Sequence, residues 1–302
     1  MIKLLLLKMN SSLTLYSNVA ISFINPDFCV EKLDESCQFS EGPVWSLEGF
    51  YLFSDIPANT VYKIVPGKEK EVYIPGSGGQ LRDSSKLSDQ VGSNGLAYDA
   101  AGDFYLCQHG SGAVAKYSDG KLKSLLDGFE GHSFNSPNDI VVHRDGTVYF
   151  SDPPYGLKDQ QLNSEIGQDR AAFYSYKDGK LIPFCTEFRY PNGLCLSPDE
   201  TSLYLGSSKP FERFVLEYDA ATLERKGLVA EENCDGIKCD RVGNLYLCTK
   251  EGIVILNTAG ERLAMIELET VPANCCWGGE KGDDLFITAR QHLFLIRDLQ
   301  KS

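Results

Sequence analysis

The sequence predicts an all-β fold, a six-bladed β-propeller, on three observations. A short pattern recurs six times along the chain; apolar residues alternate with period two after each recurrence; and no stretch of a dozen residues keeps the three-and-four spacing of an amphipathic helix. The pattern opens each time on a carboxylate or an amide: Glu41-Gly-Pro, Asn94-Gly-Leu, Asn138-Asp-Ile, Asn192-Gly-Leu, Asp235-Gly-Ile and Asn274-Cys-Cys. These slots lie 53, 44, 54, 43 and 39 residues apart, which is the span of one propeller blade.

Each slot opens an inner strand, marked by apolar pairs two positions apart: Leu96/Tyr98, Ile140/Val142, Leu194/Leu196 and Ile237/Cys239. Turn formers follow at Ala101-Gly102, Asp145-Gly146, Pro198-Asp199 and Val242-Gly243. Second strands are aromatic and β-branched, as in Phe104 to Leu106, Val148 to Phe150 and Leu245 to Leu247, which suits sheet-on-sheet packing. Third strands come next, for example Ala113 to Tyr117 and Gly252 to Leu256. Ring closure calls for an early strand beside the last blade, and the apolar segment from Leu13 to Ile24 is expected to supply it, against His292 to Arg297. Two segments without periodicity, Ser77 to Val91 and Pro153 to Arg170, are expected to cap one mouth of the central channel. The uniform repeat argues for a single domain over residues 1–302, with residues 1–24 helping to close the ring.

Composition excludes several classes of partner. The net charge is −13, from 42 acidic against 29 basic residues, and the cations are scattered singly, so nucleic acid is not an expected partner. No run approaches the roughly 18 apolar residues that span a bilayer, so no membrane partner is expected either. The four-Leu run near the N-terminus is cut by Lys8, too short for a secretory leader. Ten cysteines show no paired CxxC spacing, and Cys107 and Cys248 occupy a strand position where other blades hold Ser54, Ser151 or Ser207. They read as small buried residues of a reducing compartment, and a cytoplasmic protein is expected.

A slot repeated once per blade at the start of the inner strand lies on a ring about the channel, so its oxygens converge. Glu41, Asn192 and Asp235 offer two charges and an amide oxygen, with Asn138 as a fourth partner. An oxygen-only set of this kind suits one divalent ion, calcium first, and magnesium, manganese or zinc also enter such sites. Asn-Gly and Asp-Gly also make ordinary turns, which accounts for any one copy. Six copies in register, two of them carboxylates, favour the ring.

The chain resembles the senescence marker protein/gluconolactonase/regucalcin family of six-bladed propellers over nearly all its length. The motifs that carry the resemblance are EGPVW from Glu41, SPNDIVVHRDGTVYFSDPPYG from Ser136, YPNGLCLSPD from Tyr190, CDGIKCDRVGNLYL from Cys234 and ANCCWGG from Ala273. The resemblance implies that Glu41, Asn192 and Asp235 bind one divalent metal and that Asn138 lies beside it, in contact with substrate or water. Asn94 and the pair His109-Gly110 point to the gluconolactonase branch. Where that branch continues with an Arg pair, this chain has Ser111-Gly112-Ala113-Val114, and an Arg found beside the PND motif in the regucalcin branch is replaced by Ser136-Pro137. A less cationic, more apolar mouth and a preference for uncharged lactones are therefore expected.

The function expected is metal-dependent hydrolysis of a small sugar-type lactone by an activated water in the channel, with Asp235 as ligand and proton acceptor. Asn138 and Asn94 would face the developing oxyanion, His109 would act as acid or base at the mouth, and Tyr155 would line the channel against substrate. His132, His143 and His292 read as structural. Phosphotriester (organophosphate) hydrolysis and a non-catalytic, calcium-binding regulatory role are the alternatives.

Overall fold

The structure, a computed structural model, describes residues 4–8 as backbone alone and residues 11–301 in full. Six antiparallel sheets form the six blades of a β-propeller. The first blade runs Ser40–Trp45, Tyr51–Asp55, Thr60–Ile64 and Glu71–Pro75; the second Ser93–Tyr98, Phe104–Gln108, Ala113–Ser118 and Lys121–Leu126. The third begins at Ile140–Val142, the fourth at Pro191–Leu196, the fifth at Ile237–Cys239 and the sixth at Asn274–Gly278. These innermost strands contact one another in cyclic order around the channel, first to second and onward, with the sixth returning to the first.

That close approach explains the glycine after four of the six slots. Gly42 has φ +51°, and a Cβ there would stand 1.9 Å from the Asn94 carbonyl oxygen. At Gly193 a Cβ would stand 2.3 Å from the Asp235 carbonyl oxygen, and Gly95 and Gly236 are pressed in the same way against Asn138 and Asn274. In these four blades only a residue without a side chain fits so close to the neighbouring inner strand, whereas the third and sixth carry Asp139 and Cys275. The ladder also slips at the slots, between Glu41 and Val44, Ser93 and Leu96, and Pro191 and Leu194. Such bulges re-aim a side chain, here toward the channel.

Apolar faces of adjacent blades pack on one another. Phe134, Phe150 and Tyr174 fill one such interface, with Phe150 and Tyr174 stacked at 5.2 Å, and Tyr51, Phe53 and Phe286 fill another. Cys107 and Cys248 are buried like Ser54, Ser151 and Ser207, and all ten cysteines are free thiols. Among the described residues no helix is long and apolar enough to cross a membrane.

Closure differs from the expectation. The strand that joins the last blade is Val30–Asp34, paired with His292–Ile296. The earlier strand Ser11–Leu15 instead extends the fifth blade, against Arg262–Leu268. Val30–Asp34 lies just before the first blade's inner strand, so a short connection reaches the neighbouring sheet. Leu13, Leu15, Ala20 and Ile24 are apolar because they pack over Ile253, Ile255, Ala264 and Ile266.

Candidate active site

Three carboxylates hold the segments that lead into the slots. Asp55 accepts the backbone N–H of Gln38 (2.9 Å) and Phe39 (3.0 Å), just before Glu41. Asp152 accepts from Asn135 (2.9 Å) and Ser136 (2.8 Å), just before Asn138. Glu212 accepts from Arg189 (2.6 Å) and Tyr190 (3.1 Å), just before Asn192. Each clamp satisfies two donors that no ladder can use and fixes the approach of the chain. The two loops expected over the mouth also pair with each other: Ser88 donates its N–H to Gly156 (3.0 Å) and its hydroxyl to Tyr155 (3.1 Å). Arg82 ties the first of these loops down, its guanidinium donating to the carbonyls of His109, Gly110, Phe134, Asn135 and Ile166.

Beneath these loops a cavity of about 300 Å³ is lined by Glu41, Asn94, Asn138, Asn192 and Asp235, together with His109 and Tyr155. The structure thus brings together all seven residues singled out in the sequence. The sixth slot differs: Asn274 is buried one layer deeper and donates to Glu41 Oε2 at 3.1 Å and, more distantly, to Asp139 Oδ2 at 3.5 Å. Asn192 Nδ2 donates to Asp235 Oδ1 (2.6 Å) and to Ser208 Oγ (3.3 Å), and the Tyr155 hydroxyl lies 2.8 Å from the same Ser208 Oγ.

The electrostatics of this wall favour a cation. Burial, then the charges of Asp235 and Asp139, push the Glu41 carboxyl well above its usual value. Burial pushes Asp235 up to about 7 even though Asn192 donates to it. Among the described residues neither carboxylate has an ion-pair partner. Asn94 Oδ1, also buried in this wall, has no hydrogen-bond partner. One buried and one partly buried carboxylate with convergent amides form a hard oxygen set, which matches a divalent ion. Asp283, Asp284 and Asp298 form another acidic group at the last blade's hairpin, outside this cavity.

His109 differs from an acid at the mouth. Its ring is buried, Nδ1 lies 3.1 Å from the Gln90 carbonyl, and burial pulls its pKa down to about 4. The ring is neutral near pH 7, and Nδ1–H donates to Gln90. Nε2 is then left as an acceptor without a partner. The other three histidines lie elsewhere: His132 in a two-residue ladder, His143 against Asp145, and His292 against Thr270.

The expected apolar, weakly cationic mouth is not found. Ala113 and Val114 are buried, Val114 in the core with Cys107 and Phe134, and neither lines the cavity. A Cβ on Gly112 would meet the Arg82 guanidinium at 2.5 Å, so a cation does occupy this corner, supplied by the loop. Two more cations, Lys209 and Arg290, line the cavity itself. Neither stands in a recurring motif, so sequence spacing gave no signal for them.

Asp139 and Lys238 were also missed. Asp139 stands where four other blades carry glycine, and its carboxylate lies 3.5 Å from the Lys238 ammonium, below the slots. Burial lowers Lys238, but the Asp139 charge and the neighbouring cysteines together outweigh it and hold the ammonium above its usual range. The departure from glycine at position 139 was the one available signal.

Residues 39–291 match the SMP-30/Gluconolactonase/LRE-like region. A gluconolactonase of Zymomonas mobilis is 33% identical over 292 residues, covering 89% of this chain and 81% of that protein. A lactonohydrolase of Aspergillus oryzae is 29% identical, covering 59% of this chain and 48% of its own length. Among solved structures, a gluconolactonase of Xanthomonas campestris superposes with a TM-score of 0.82 at 23% identity, covering 95% of this chain and 94% of that one. A calcium-binding regucalcin of Agrobacterium tumefaciens superposes with 0.71 at 18% identity, covering 91% and 95%. With a family match over most of its length and a relative a third identical, the chain belongs to the SMP-30/gluconolactonase/LRE-like family.

Proposed function

We propose that this chain is a metal-dependent lactone hydrolase acting in the cavity at the mouth of its central channel. The observation that carries the reading is the pair Glu41, buried, and Asp235, partly buried, two carboxylates with no ion-pair partner among the described residues, facing one cavity with the amides of Asn138 and Asn192. The named activities of the relatives supply the substrate class, a small lactone.

Glu41, Asn138, Asn192 and Asp235 are the residues that would hold the ion, with calcium the first fit to an all-oxygen set and magnesium, manganese or zinc the other candidates. When bound, a divalent ion polarises a lactone carbonyl and makes a water molecule acidic enough to attack near neutral pH. Asp235 accepts the proton that the attacking water gives up. Asn138 and Asn94 present amide groups to the carbonyl oxygen as it gains negative charge. Collapse then breaks the ring C–O bond, and the departing oxygen takes a proton to give the hydroxy acid. His109, held neutral, acts as a hydrogen-bond acceptor through Nε2 and orients a substrate hydroxyl. Tyr155, fixed by Ser208, forms the opposite wall.

The experiment is turnover of glucono-δ-lactone by protein dialysed against EDTA, then supplied with calcium, magnesium, manganese or zinc in turn. Loss and restoration of hydrolysis are expected. Full activity in metal-free protein removes the mechanism, and inactivity with every ion, toward glucono-δ-lactone and toward its 6-phosphate and a glucaric acid monolactone alike, removes the lactonase reading.

A further inference from the structure

We propose that Lys209 and Arg290 form a two-cation receptor at the cavity mouth, so that the lactones this chain takes carry an anionic substituent, a carboxylate or a phosphate. The proposal rests on the lactonase reading for the word lactone, and on the cavity itself for the word anionic.

Both side chains line the cavity together with the slot residues. Lys209 is held in place: its ammonium donates to Gln160 Oε1 at 2.9 Å and stands 4.5 Å and 5.2 Å over the rings of Tyr190 and Tyr155, which stack at 5.8 Å. Arg290 sits at the turn between Asp284–Ala289 and His292–Ile296. Its carbonyl is anchored by Ser40 N–H (2.7 Å) and Ser40 Oγ (2.8 Å), one residue from Glu41, and its guanidinium lies 5.3 Å from the Phe39 ring. Its φ is +57°, a conformation that Gly or Asn adopts with less strain, so the turn geometry alone does not call for arginine.

In a chain of net charge −13, neither cation is ion-paired among the described residues. Once a divalent ion offsets Glu41 and Asp235, the lining keeps these two cations against one exposed carboxylate, Asp89. Aromatic faces hold a cation in position without neutralising it, which leaves it free to pair with an incoming anion. The unpartnered acceptors Asn94 Oδ1 and His109 Nε2 lie in the same wall and call for donors. Hydroxyl groups toward those acceptors and an anionic group toward Lys209 and Arg290 describe the lactone of a sugar acid or of a sugar phosphate. The alternative is that the two cations only offset Glu41 and Asp235 until a metal arrives.

Two measurements decide. The first is kcat/KM for glucono-δ-lactone, its 6-phosphate and a glucaric acid monolactone, in the parent, Lys209→Met, Arg290→Met and the double variant. The parent should favour an anionic lactone, and each replacement should lower the anionic-to-neutral ratio by about tenfold. The phosphate and carboxylate arms show which anion the receptor prefers. The second is calorimetric binding of gluconate 6-phosphate and of glucarate to metal-loaded parent and double variant, a readout independent of turnover. Weakening by about tenfold or more in the double variant supports the receptor. Equal binding, or a substrate ratio that does not move, overturns it while leaving lactone hydrolysis standing. A parent that binds the anions through these cations but opens no lactone keeps the receptor and loses the lactonase reading.

Discussion

Asn192 Nδ2 lies 2.6 Å from Asp235 Oδ1 and so joins the entrances of two adjacent inner strands beside the channel. The contact replaces, for one carboxylate oxygen, what a cation would supply to both. It also makes Asp235 the member of the ring whose charge can be removed with least disturbance to its neighbours.

Asp235→Asn should weaken divalent-ion binding by at least about tenfold, since a ligand in the cavity wall loses its charge. The same change removes a partly buried charge that has no ion-pair partner among the described residues, so the metal-free variant should melt no lower than the metal-free parent. Calorimetric titration with calcium and manganese, paired with thermal denaturation in EDTA, checks both. Unchanged affinity means the ion sits elsewhere.

Asn274 supports Glu41 from below, by a donated hydrogen bond of 3.1 Å to Oε2. Asn274→Ala should lower metal affinity by roughly 10- to 100-fold through a ligand left free to turn. Metal-free folding should persist, as judged by circular dichroism. If affinity holds while stability falls, Asn274 is a packing residue alone.

The glycine after the slot can be tested by a paired replacement. Gly42→Ala puts a methyl group 1.9 Å from a carbonyl oxygen at φ +51°, and should cost at least about 3 kcal/mol. Gly227→Ala, with no atom within 4 Å, should stay within roughly 1 kcal/mol. Urea denaturation midpoints of the two variants should separate clearly from one another.

His109 sets a pH dependence. Burial holds it at about 4, below the ordinary 6.5, so the unfolded chain takes up a proton that the native state refuses. The stability it permits is therefore present above pH 6.5 and is lost as pH falls from there toward 4, by roughly 3 kcal/mol in all. His109→Gln should flatten that acid limb in denaturant titrations at pH 7, 6, 5 and 4. Parallel curves for parent and variant would mean that the ring is already solvated.

The blades and five of the six slots were legible in the sequence because both follow from local rules, alternation along a strand and a fixed offset between blades. The sixth slot, Asn274, was legible as a repeat but not in its depth, since the turn of one side chain below Glu41 leaves no periodic trace. Closure was misplaced because Leu13 to Ile24 is more apolar than Val30–Asp34, and apolarity alone does not say which sheet a strand covers. Lys209 and Arg290 escaped notice because they sit on turns outside the repeat, and only the folded ring brings them to one cavity. Ala113 and Val114 misled by standing where a family pattern places cations, although the continuous apolar run Ala113-Val114-Ala115 already marked them for the interior.

The five carbonyls gathered around Arg82 have a kinetic meaning. A mouth whose loops are ordered while the chain folds has no ordering left to do when a small molecule arrives. The entrance should act as an open cup and not as a hinge, with capture at the rate of encounter and no separate closing step in its time course.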